Sequence, residues 1–198
     1  MLVIVRHGNT FNAGEPPRRI GARTDLPLTA AGIAQAQELG KLFRAQGLIF
    51  ARALVSPLLR TRQTVDAILA MQPSPPQIEP ADFLREIDHG PDENRTEDEV
   101  IARIGKATLD AWDTTGVPPA EWTVDADARI AAWHALLTTL QPASAPTLLV
   151  TSNGAARFAL KAMPNANPPS LKLRTGSYGV IRRAADGTLA APLWDHRP

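Results

Sequence analysis

The sequence predicts an α/β fold with a largely parallel sheet. Two observations lead to this class. Short, apolar, β-branched runs alternate with longer segments whose apolar residues recur about every 3.6 residues. Three of the short runs also end in polar residues, as buried parallel strands do where their carboxyl ends face a ligand. A chain of 198 residues fits one domain, and we expect that domain to span residues 1–198.

The strands follow from the apolar runs and their polar terminations. The first run is Leu2–Val5, which leads directly into Arg6-His7-Gly8. The second and third are Ala53–Val55, ended by Ser56-Pro57, and Thr147–Val150, ended by Thr151-Ser152-Asn153-Gly154. A fourth candidate, Ser177–Arg183, follows a glycine-containing turn. Since the carboxyl ends of parallel strands share one edge, the first three terminations should meet there.

Helices are predicted between these strands from periodicity and capping residues. Thr29 can cap a helix whose apolar face runs from Ile33 to Phe43. The remaining helices are predicted at Leu58–Ala70, opened by the Ser56 hydroxyl and Pro57; at Val100–Trp112, opened by a capping box at Thr96; and from Asp125 to Leu140. The proline-rich stretch Gln72–Pro80 and the polar stretch Asp88–Asp98 are predicted to cover the rim of the ligand site.

Composition and motifs exclude several classes of function. No cysteine is present, so a disulfide framework, a thiolate nucleophile and a cysteine-containing zinc site are excluded. With 21 Lys+Arg against 20 Asp+Glu, the near-neutral charge gives no reason to expect a nucleic-acid or membrane-surface protein. The chain reaches a charged Arg6 at once, and it has neither a leader pattern nor a continuous apolar span, so we expect a cytoplasmic location. Walker, dinucleotide-binding and zincin signatures are also absent.

Three segments supply groups suited to a phosphate ester. An imidazole at His7 can attack phosphorus while the guanidiniums of Arg6 and Arg60 hold the phosphoryl oxygens. A carboxyl group at Glu86 can protonate the leaving oxygen, although an ordinary solvated loop carboxylate is the alternative. Composition alone assigns none of these roles.

Five ordered motifs carry a resemblance to a known family. They are Arg6-His7-Gly8-Asn9-Thr10; Gly21 followed by Asp25-Leu26-Pro27-Leu28-Thr29-Ala30-Ala31-Gly32; Ser56-Pro57-Leu58-Leu59-Arg60-Thr61-Arg62-Gln63-Thr64; Leu84-Arg85-Glu86-Ile87-Asp88-His89-Gly90; and Val150-Thr151-Ser152-Asn153-Gly154. Together they resemble the signatures of the histidine phosphatase, or phosphoglycerate mutase-like, superfamily over nearly the whole chain.

The resemblance implies a three-layer α/β/α sandwich with a mostly parallel central sheet, and a phosphohistidine intermediate without metal or other cofactor. Carried over by position, His7 is the nucleophile and Glu86 the proton donor, while Arg6 and Arg60 bind phosphate. The resemblance further implies substrate contacts from Asn12, Gly21, His89, Asn153 and Gly154. The expected partner is a small phosphorylated substrate or a phosphate anion; the oligomeric state is not predicted.

One departure from the family pattern leaves the function open. Asn153 stands where the family has its second histidine, and a carboxamide donates N–H but carries no positive charge. His89 is a candidate for replacing part of that charge, with a surface loop histidine as the alternative. The predicted function is a metal-independent phosphomonoesterase that acts through a phosphohistidine on His7, at full or at reduced rate. The alternatives are a catalytically degenerate phosphate-binding or regulatory relative and, third, a phosphoglycerate mutase. Arg18, Arg19 and Arg23 either attract an acidic substrate or form a solvated loop.

Overall fold

The computed structural model describes residues 1–163 and 170–198 and contains a mixed, mostly parallel sheet. Within this part of the chain the sheet has six strands in the order β3-β2-β4-β1-β5-β6. The strands are β1 Leu2–Arg6, β2 Arg52–Val55, β3 Ile78–Pro80, β4 Thr147–Thr151, β5 Tyr178–Arg183 and β6 Leu189–His196. Strands β1 to β4 pair in parallel. Strand β5 pairs antiparallel with β1, and β6 pairs antiparallel with β5, at one side of the sheet.

Helices cover both faces of the sheet, as the predicted sandwich requires. Their bounds are α1 Ala30–Ala45, α2 Leu59–Leu69, α3 Glu97–Ile104, α4 Lys106–Thr115, α5 Ala126–Thr138 and α6 Asn153–Lys161, with single 3₁₀ turns at Asp82–Leu84 and Gly90–Asp92. None of the helices in the described residues is long and apolar enough to cross a membrane.

Alternation along the strands divides the core into two layers. In β1, Val3 and Val5 face α1 and α2, where they pack with Phe43 and Ile68. Leu2 and Ile4 face the opposite way, into a larger cluster that holds Trp112, Trp133 and Phe158. Because successive strand residues point to opposite faces, a wholly apolar strand has to be covered on both sides. The predicted three-layer α/β/α sandwich is thereby confirmed.

Several predicted elements are present with altered boundaries. The helix expected over Val100–Trp112 is two helices, because Gly105 adopts φ 80° and ψ 149°, a conformation that only glycine adopts readily. The capping box at Thr96 is confirmed and opens the first of them. Helix α2 begins at Leu59 with Leu58 as its N-cap, so the prediction that Ser56 and Pro57 open this helix was wrong.

The proline-rich stretch does not cover the ligand-binding rim, and that prediction was wrong. Gln72, at its start, accepts a hydrogen bond from the Phe50 N–H and donates one to the Leu48 carbonyl, both just before β2 begins. The stretch therefore begins at the amino edge of the sheet, and its last three residues form β3, an edge strand that the sequence did not reveal. The polar stretch Asp88–Asp98 does reach the carboxyl edge, where His89 and Glu97 line a cavity.

Candidate active site

A cavity of about 580 Å³ opens at the carboxyl edge of the sheet. It lies over the ends of β1 and β4, where parallel sheets place their ligands. Most of the residues singled out from the sequence line it, namely Arg6, His7, Asn12, Glu86, His89, Asn153 and Gly154. Gly21 and Arg60 are not part of its wall.

His7 is held at the end of β1 as a neutral imidazole. Its backbone continues the pairing of β1, donating to the Thr151 carbonyl at 3.1 Å and accepting from the Gly176 N–H at 3.1 Å. The side chain is only 3% exposed, and its Nδ1 lies 2.8 Å from the Gly8 carbonyl, which makes Nδ1 the protonated nitrogen. Burial, together with the charges of Arg60 and Arg6, lowers the pKa of His7 well below 6.5 although the Gly8 carbonyl opposes this. Nε2 therefore keeps a free lone pair at neutral pH.

Arg6 lines the same cavity as His7. Its Nη1 donates to the Leu173 carbonyl at 2.8 Å, while its Nε is buried and has no hydrogen-bond partner in the described residues. Burial lowers the pKa of Arg6 to about 10 even though the Glu86 carboxylate opposes it, so the side chain stays cationic at neutral pH. A fixed cation with an unused donor suits an anionic ligand.

Glu86 is buried in the cavity wall and is not a solvated loop carboxylate. The side chain is 6% exposed, and both oxygens accept backbone hydrogen bonds, Oε1 from Ile87 at 2.9 Å and Oε2 from Gly154 at 3.0 Å. Gly154 is therefore committed to orienting Glu86. A Cβ at Gly154 would lie 2.3 Å from Glu86 Oε1, which explains why glycine is required at this position.

Asn153 is the first residue of α6, a helix that the sequence analysis did not predict. Its Oδ1 accepts a hydrogen bond from the Leu173 N–H at 2.8 Å, which fixes the orientation of the carboxamide. With Oδ1 occupied in this way, the Nδ2 group is the donor that Asn153 can offer to the cavity it lines.

Arg60 is buried and does not line the cavity. The side chain is fully buried, and it donates to the carbonyls of Thr24 at 2.8 Å and Gly21 at 3.2 Å. The loop through residues 20–24 therefore wraps the guanidinium that was expected to bind phosphate directly. Gly21 is likewise a packing residue, since a Cβ there would lie 2.3 Å from Glu93 and 2.4 Å from the Ile87 carbonyl.

His89 is buried in the cavity wall, so the alternative of a surface loop histidine was wrong. It is 6% exposed and stands edge-on to the Trp122 ring at 4.6 Å between centroids. Its Nδ1 lies 3.5 Å from Glu93 Oε2. Burial would raise the pKa of Glu93, but hydrogen bonds from His89, Thr24 and Gly21 outweigh it and lower the pKa to about 2. Glu93 is therefore an anion beside the His89 ring.

The mouth of the cavity is formed by paired charges. Asn12 lines it from an exposed position. Arg19 also lines it, bonded to Glu97 at 2.7 Å and stacked 5.3 Å from the centroid of Trp122, so it does not belong to a solvated loop. Arg23 does not line the cavity; it is an exposed partner of Asp88.

Sequence reasoning missed the part of the wall that the end of α4 forms. Trp112 and Asp113 line the cavity there, and the buried Arg157 lies directly behind Trp112. The only available signal was an arginine four residues after Asn153 within an otherwise small or apolar segment.

The fold and the cavity together define an α/β protein with a neutral histidine, an arginine and a glutamate gathered at the carboxyl edge of its sheet. Comparison with protein families gives the particular assignment. The model of the histidine phosphatase superfamily, branch 1, matches residues 2–194. The chain belongs to this superfamily.

Individual relatives divide between two activities. The chain is 29% identical to the 2,3-bisphosphoglycerate-dependent phosphoglycerate mutase of Methylobacterium radiotolerans, over 96% of this chain and 93% of the relative. Among solved structures, a mycobacterial glucosyl-3-phosphoglycerate phosphatase matches with a TM-score of 0.78 at 21% identity, over 100% of this chain and 99% of the other. The alpha-ribazole phosphatase of Shigella flexneri matches with a TM-score of 0.75 at 22% identity, over 99% and 96% of the two chains. At these identities the solved structures support the fold.

The state of His7 can be tested by NMR. Because its pKa is lowered well below 6.5, the ring of the ligand-free protein should remain neutral with the proton on Nδ1 as the pH falls from 7.5 to about 6. Two-bond ¹H–¹⁵N spectra of labelled protein report tautomer and charge, with the exposed His134 ring as the internal reference. A His7 ring that becomes an imidazolium across this range would contradict the assignment.

The fit of Gly154 against Glu86 can be tested by a double-mutant cycle. Gly154→Ala should lower the free energy of unfolding by about 1–3 kcal/mol, the usual cost of overpacking, because the added methyl overlaps the Glu86 carboxylate. In a Glu86→Ala background the same change should cost clearly less. Urea denaturation of the four proteins measures the coupling, and equal costs in both backgrounds would show that the contact is not tight.

Proposed function

We propose that the protein is a metal-independent phosphomonoesterase in which His7 is transiently phosphorylated. The observation that carries the proposal is the neutral His7 ring, with Nδ1 tied to the Gly8 carbonyl and Nε2 left as the nucleophile, in one cavity with Arg6 and Glu86. Membership of the histidine phosphatase superfamily supports the same chemistry.

The proposed reaction has two steps. In the first, the Nε2 lone pair attacks phosphorus, a P–N bond forms, and the ester P–O bond breaks as the leaving oxygen takes a proton from Glu86. In the second, water attacks the phosphohistidine, Glu86 accepts the proton of that water, and the P–N bond breaks to release inorganic phosphate. Arg6 holds the phosphoryl oxygens in both steps, while Arg60, which does not line the cavity, adds positive potential.

The sequence analysis put Asn153 in the place of the family's second histidine, but the pairing of Arg6 with Thr151 makes Ser152 the residue level with His7. We propose further that the absence of a cation at Ser152 and Asn153 slows the reaction. The Asn153 amide can donate one N–H to the phosphoryl group but brings no charge. His89, in the same wall, is proposed to contact the substrate beyond the phosphate. The cavity of about 580 Å³ admits a small phosphorylated molecule, in keeping with the phosphorylated compounds named for the relatives.

Phosphoglycerate mutase activity is the second candidate, because the curated relatives at 29% and 28% identity carry that name. An assay with 3-phosphoglycerate and a bisphosphate primer separates the two, since a mutase yields the isomeric ester whereas a phosphatase releases inorganic phosphate. Tight phosphate binding without turnover on a panel of phosphoesters would instead favour a regulatory binding protein.

The phosphohistidine step is tested by His7→Gln. This variant should form no acid-labile phosphoprotein when mixed with a radiolabelled phosphoester and quenched, and its turnover should fall to background, because the nucleophilic lone pair is gone. The control is His134→Gln, on the exposed side of α5, which should label and turn over like the wild type. Turnover retained in His7→Gln would remove the covalent mechanism.

Proton donation by Glu86 is tested with two leaving groups. Glu86→Gln should slow hydrolysis of alkyl phosphates by about 10²–10⁴-fold, the usual contribution of a general acid. It should affect p-nitrophenyl phosphate far less, because that leaving group scarcely needs a proton. Glu38→Gln, on the exposed face of α1, serves as the control. If both substrates lose the same factor, Glu86 only orders the wall.

A further inference from the structure

The charged side chains at the mouth of the cavity are balanced in sign. Arg6 and Glu86 are buried and belong to the proposed phosphate end. The other charged residues that line the cavity in the described part of the chain are three cations and three carboxylates, namely Arg18, Arg19, Lys172, Glu15, Glu97 and Asp113. Residues 164–169 contain no charged side chain, so they do not change this balance.

The pair of Arg19 with Glu97 is built into the fold. The Arg19 N–H donates to the Arg95 carbonyl at 2.7 Å, and the Arg19 carbonyl accepts from the Asn94 N–H at 2.7 Å. This pairing sets Arg19 beside Glu97, the first residue of α3, and the two side chains meet at 2.7 Å. The guanidinium is also stacked 5.3 Å from the centroid of Trp122. The positive charge of Arg19 is therefore opposed by a carboxylate that the backbone holds in place.

The two other cations at the mouth also have carboxylates within 4 Å. Arg18 lies 3.9 Å from Glu15, and Lys172 lies 3.1 Å from Asp113. Asp113 is shared with the buried Arg157, at 3.8 Å, so Lys172 is less fully neutralised than Arg19. Charges of both signs thus stand side by side around the opening.

A substrate group that reaches the mouth would meet these carboxylates as closely as it meets the cations. A carboxylate on the substrate has no proton to donate to Glu97, Glu15 or Asp113 and would be repelled by them. A hydroxyl group can donate to a carboxylate and also accept from a cation, so it loses little on leaving water. The uncharged side chains of Thr10 and Asn12, which also line the cavity, suit hydroxyl groups equally.

We propose that the cavity accepts phosphate esters of uncharged, hydroxyl-bearing alcohols, such as a polyol or a sugar, and discriminates against esters that carry a carboxylate. This substrate class rests on the proposed function and deepens it. The Arg19–Glu97 pair is the specificity-determining feature, and it acts on the leaving group rather than on the phosphoryl group. Opposed charges a few ångströms apart near a protein surface are strong enough to produce about tenfold discrimination.

The first test compares esters that differ by one group. Glycerol 3-phosphate and 3-phosphoglycerate, both as racemates, share a carbon skeleton in which one end is hydroxymethyl or carboxylate. Sorbitol 6-phosphate and 6-phosphogluconate form a longer pair with the same difference. Without a bisphosphate primer, kcat/KM for phosphate release should be about tenfold higher for the uncharged member of each pair at low salt, and the ratio should shrink as salt screens the repulsion.

Two results of this comparison would overturn the proposed substrate class. Equal rates within each pair, or faster release from the carboxylates, would mean that a cation at the mouth, most simply Lys172, binds the carboxylate. A preference for the uncharged esters that does not change with salt would mean that the cavity selects by shape and not by charge.

The second test removes one carboxylate from the mouth. Glu97→Gln keeps the shape of the side chain and leaves the charge of Arg19 unopposed, so the ratio of kcat/KM should move about tenfold toward the carboxylate esters. The control is Glu38→Gln, which breaks the exposed Glu38–Lys41 pair on α1 and removes the same charge outside the cavity. Its ratio should equal that of the wild type. An unchanged ratio in Glu97→Gln would overturn the assignment of specificity to this pair. If Glu97→Gln does not fold, Asp113→Asn, which leaves Lys172 unopposed, is judged by the same ratio.

Failure of the proposed function gives a different result from failure of the substrate class. If the wild type hydrolyses both members of a pair at equal kcat/KM, the phosphatase proposal stands and only the substrate class fails. If it hydrolyses no ester, the phosphatase proposal fails, and calorimetry decides the preference. Tighter binding of the uncharged esters would then support discrimination by charge, whereas equal or weaker binding would overturn it. Binding of no ester at all would overturn both.

Discussion

The parallel pairing of β1 with β4 is the constraint on which the site depends. Its register aligns Arg6 with Thr151, so the two strands end level and the residues that follow them emerge side by side. His7 then bonds to the Thr151 carbonyl, and α6 starts two residues later, at Asn153. Because both strands are apolar on both faces, helices must cover the sheet on each side, and the carboxyl edge is left as the place where polar side chains can gather. A one-residue slip would turn His7 to the other face.

The two arginines near this edge, Arg60 and Arg6, have different surroundings. Arg60 and Arg6 both lower the pKa of His7, but they differ in what holds them. Arg60 is bound by carbonyls of the loop through residues 20–24, and Glu93 fastens that loop through the Gly21 N–H and the Thr24 hydroxyl. Both arginines have a buried Nε without a hydrogen-bond partner in the described residues, but only Arg6 lines the cavity. Arg60 therefore contributes positive potential, whereas Arg6 contributes both potential and a donor at the cavity.

The sequence predicted the strands near the site better than the elements far from it. Leu2–Val5 and Thr147–Val150 are continuous apolar runs with polar ends, and both strands were found. Strand β6 was not predicted, because its apolar and polar residues alternate only weakly and because it contains Pro192. A proline is tolerated in β6 because this strand lies at the edge of the sheet. The proline-rich stretch was assigned to the wrong edge, since composition marks a loop without saying at which end of the sheet it lies. The unpaired donors of Arg157 could not be predicted, because whether a buried arginine is paired depends on the distances around it, and these exist only in the folded chain.

A consequence for stability follows from the unpaired cations. In the free protein, desolvated guanidiniums with unused donors, such as those of Arg6 and Arg157, raise the free energy of the folded state. An anion in the cavity would lower it by adding charge-assisted contacts to Arg6, which lines the cavity. Since a ligand that binds only the folded state stabilises it in proportion to its affinity, folding and anion binding are linked through the same buried charges. The buried charges at the cavity therefore lower the stability of the ligand-free protein, as is usual for sites with preorganised charge. The neutral state of the His7 ring fits the cations around it, because a cationic imidazole there would be repelled by Arg60 and Arg6.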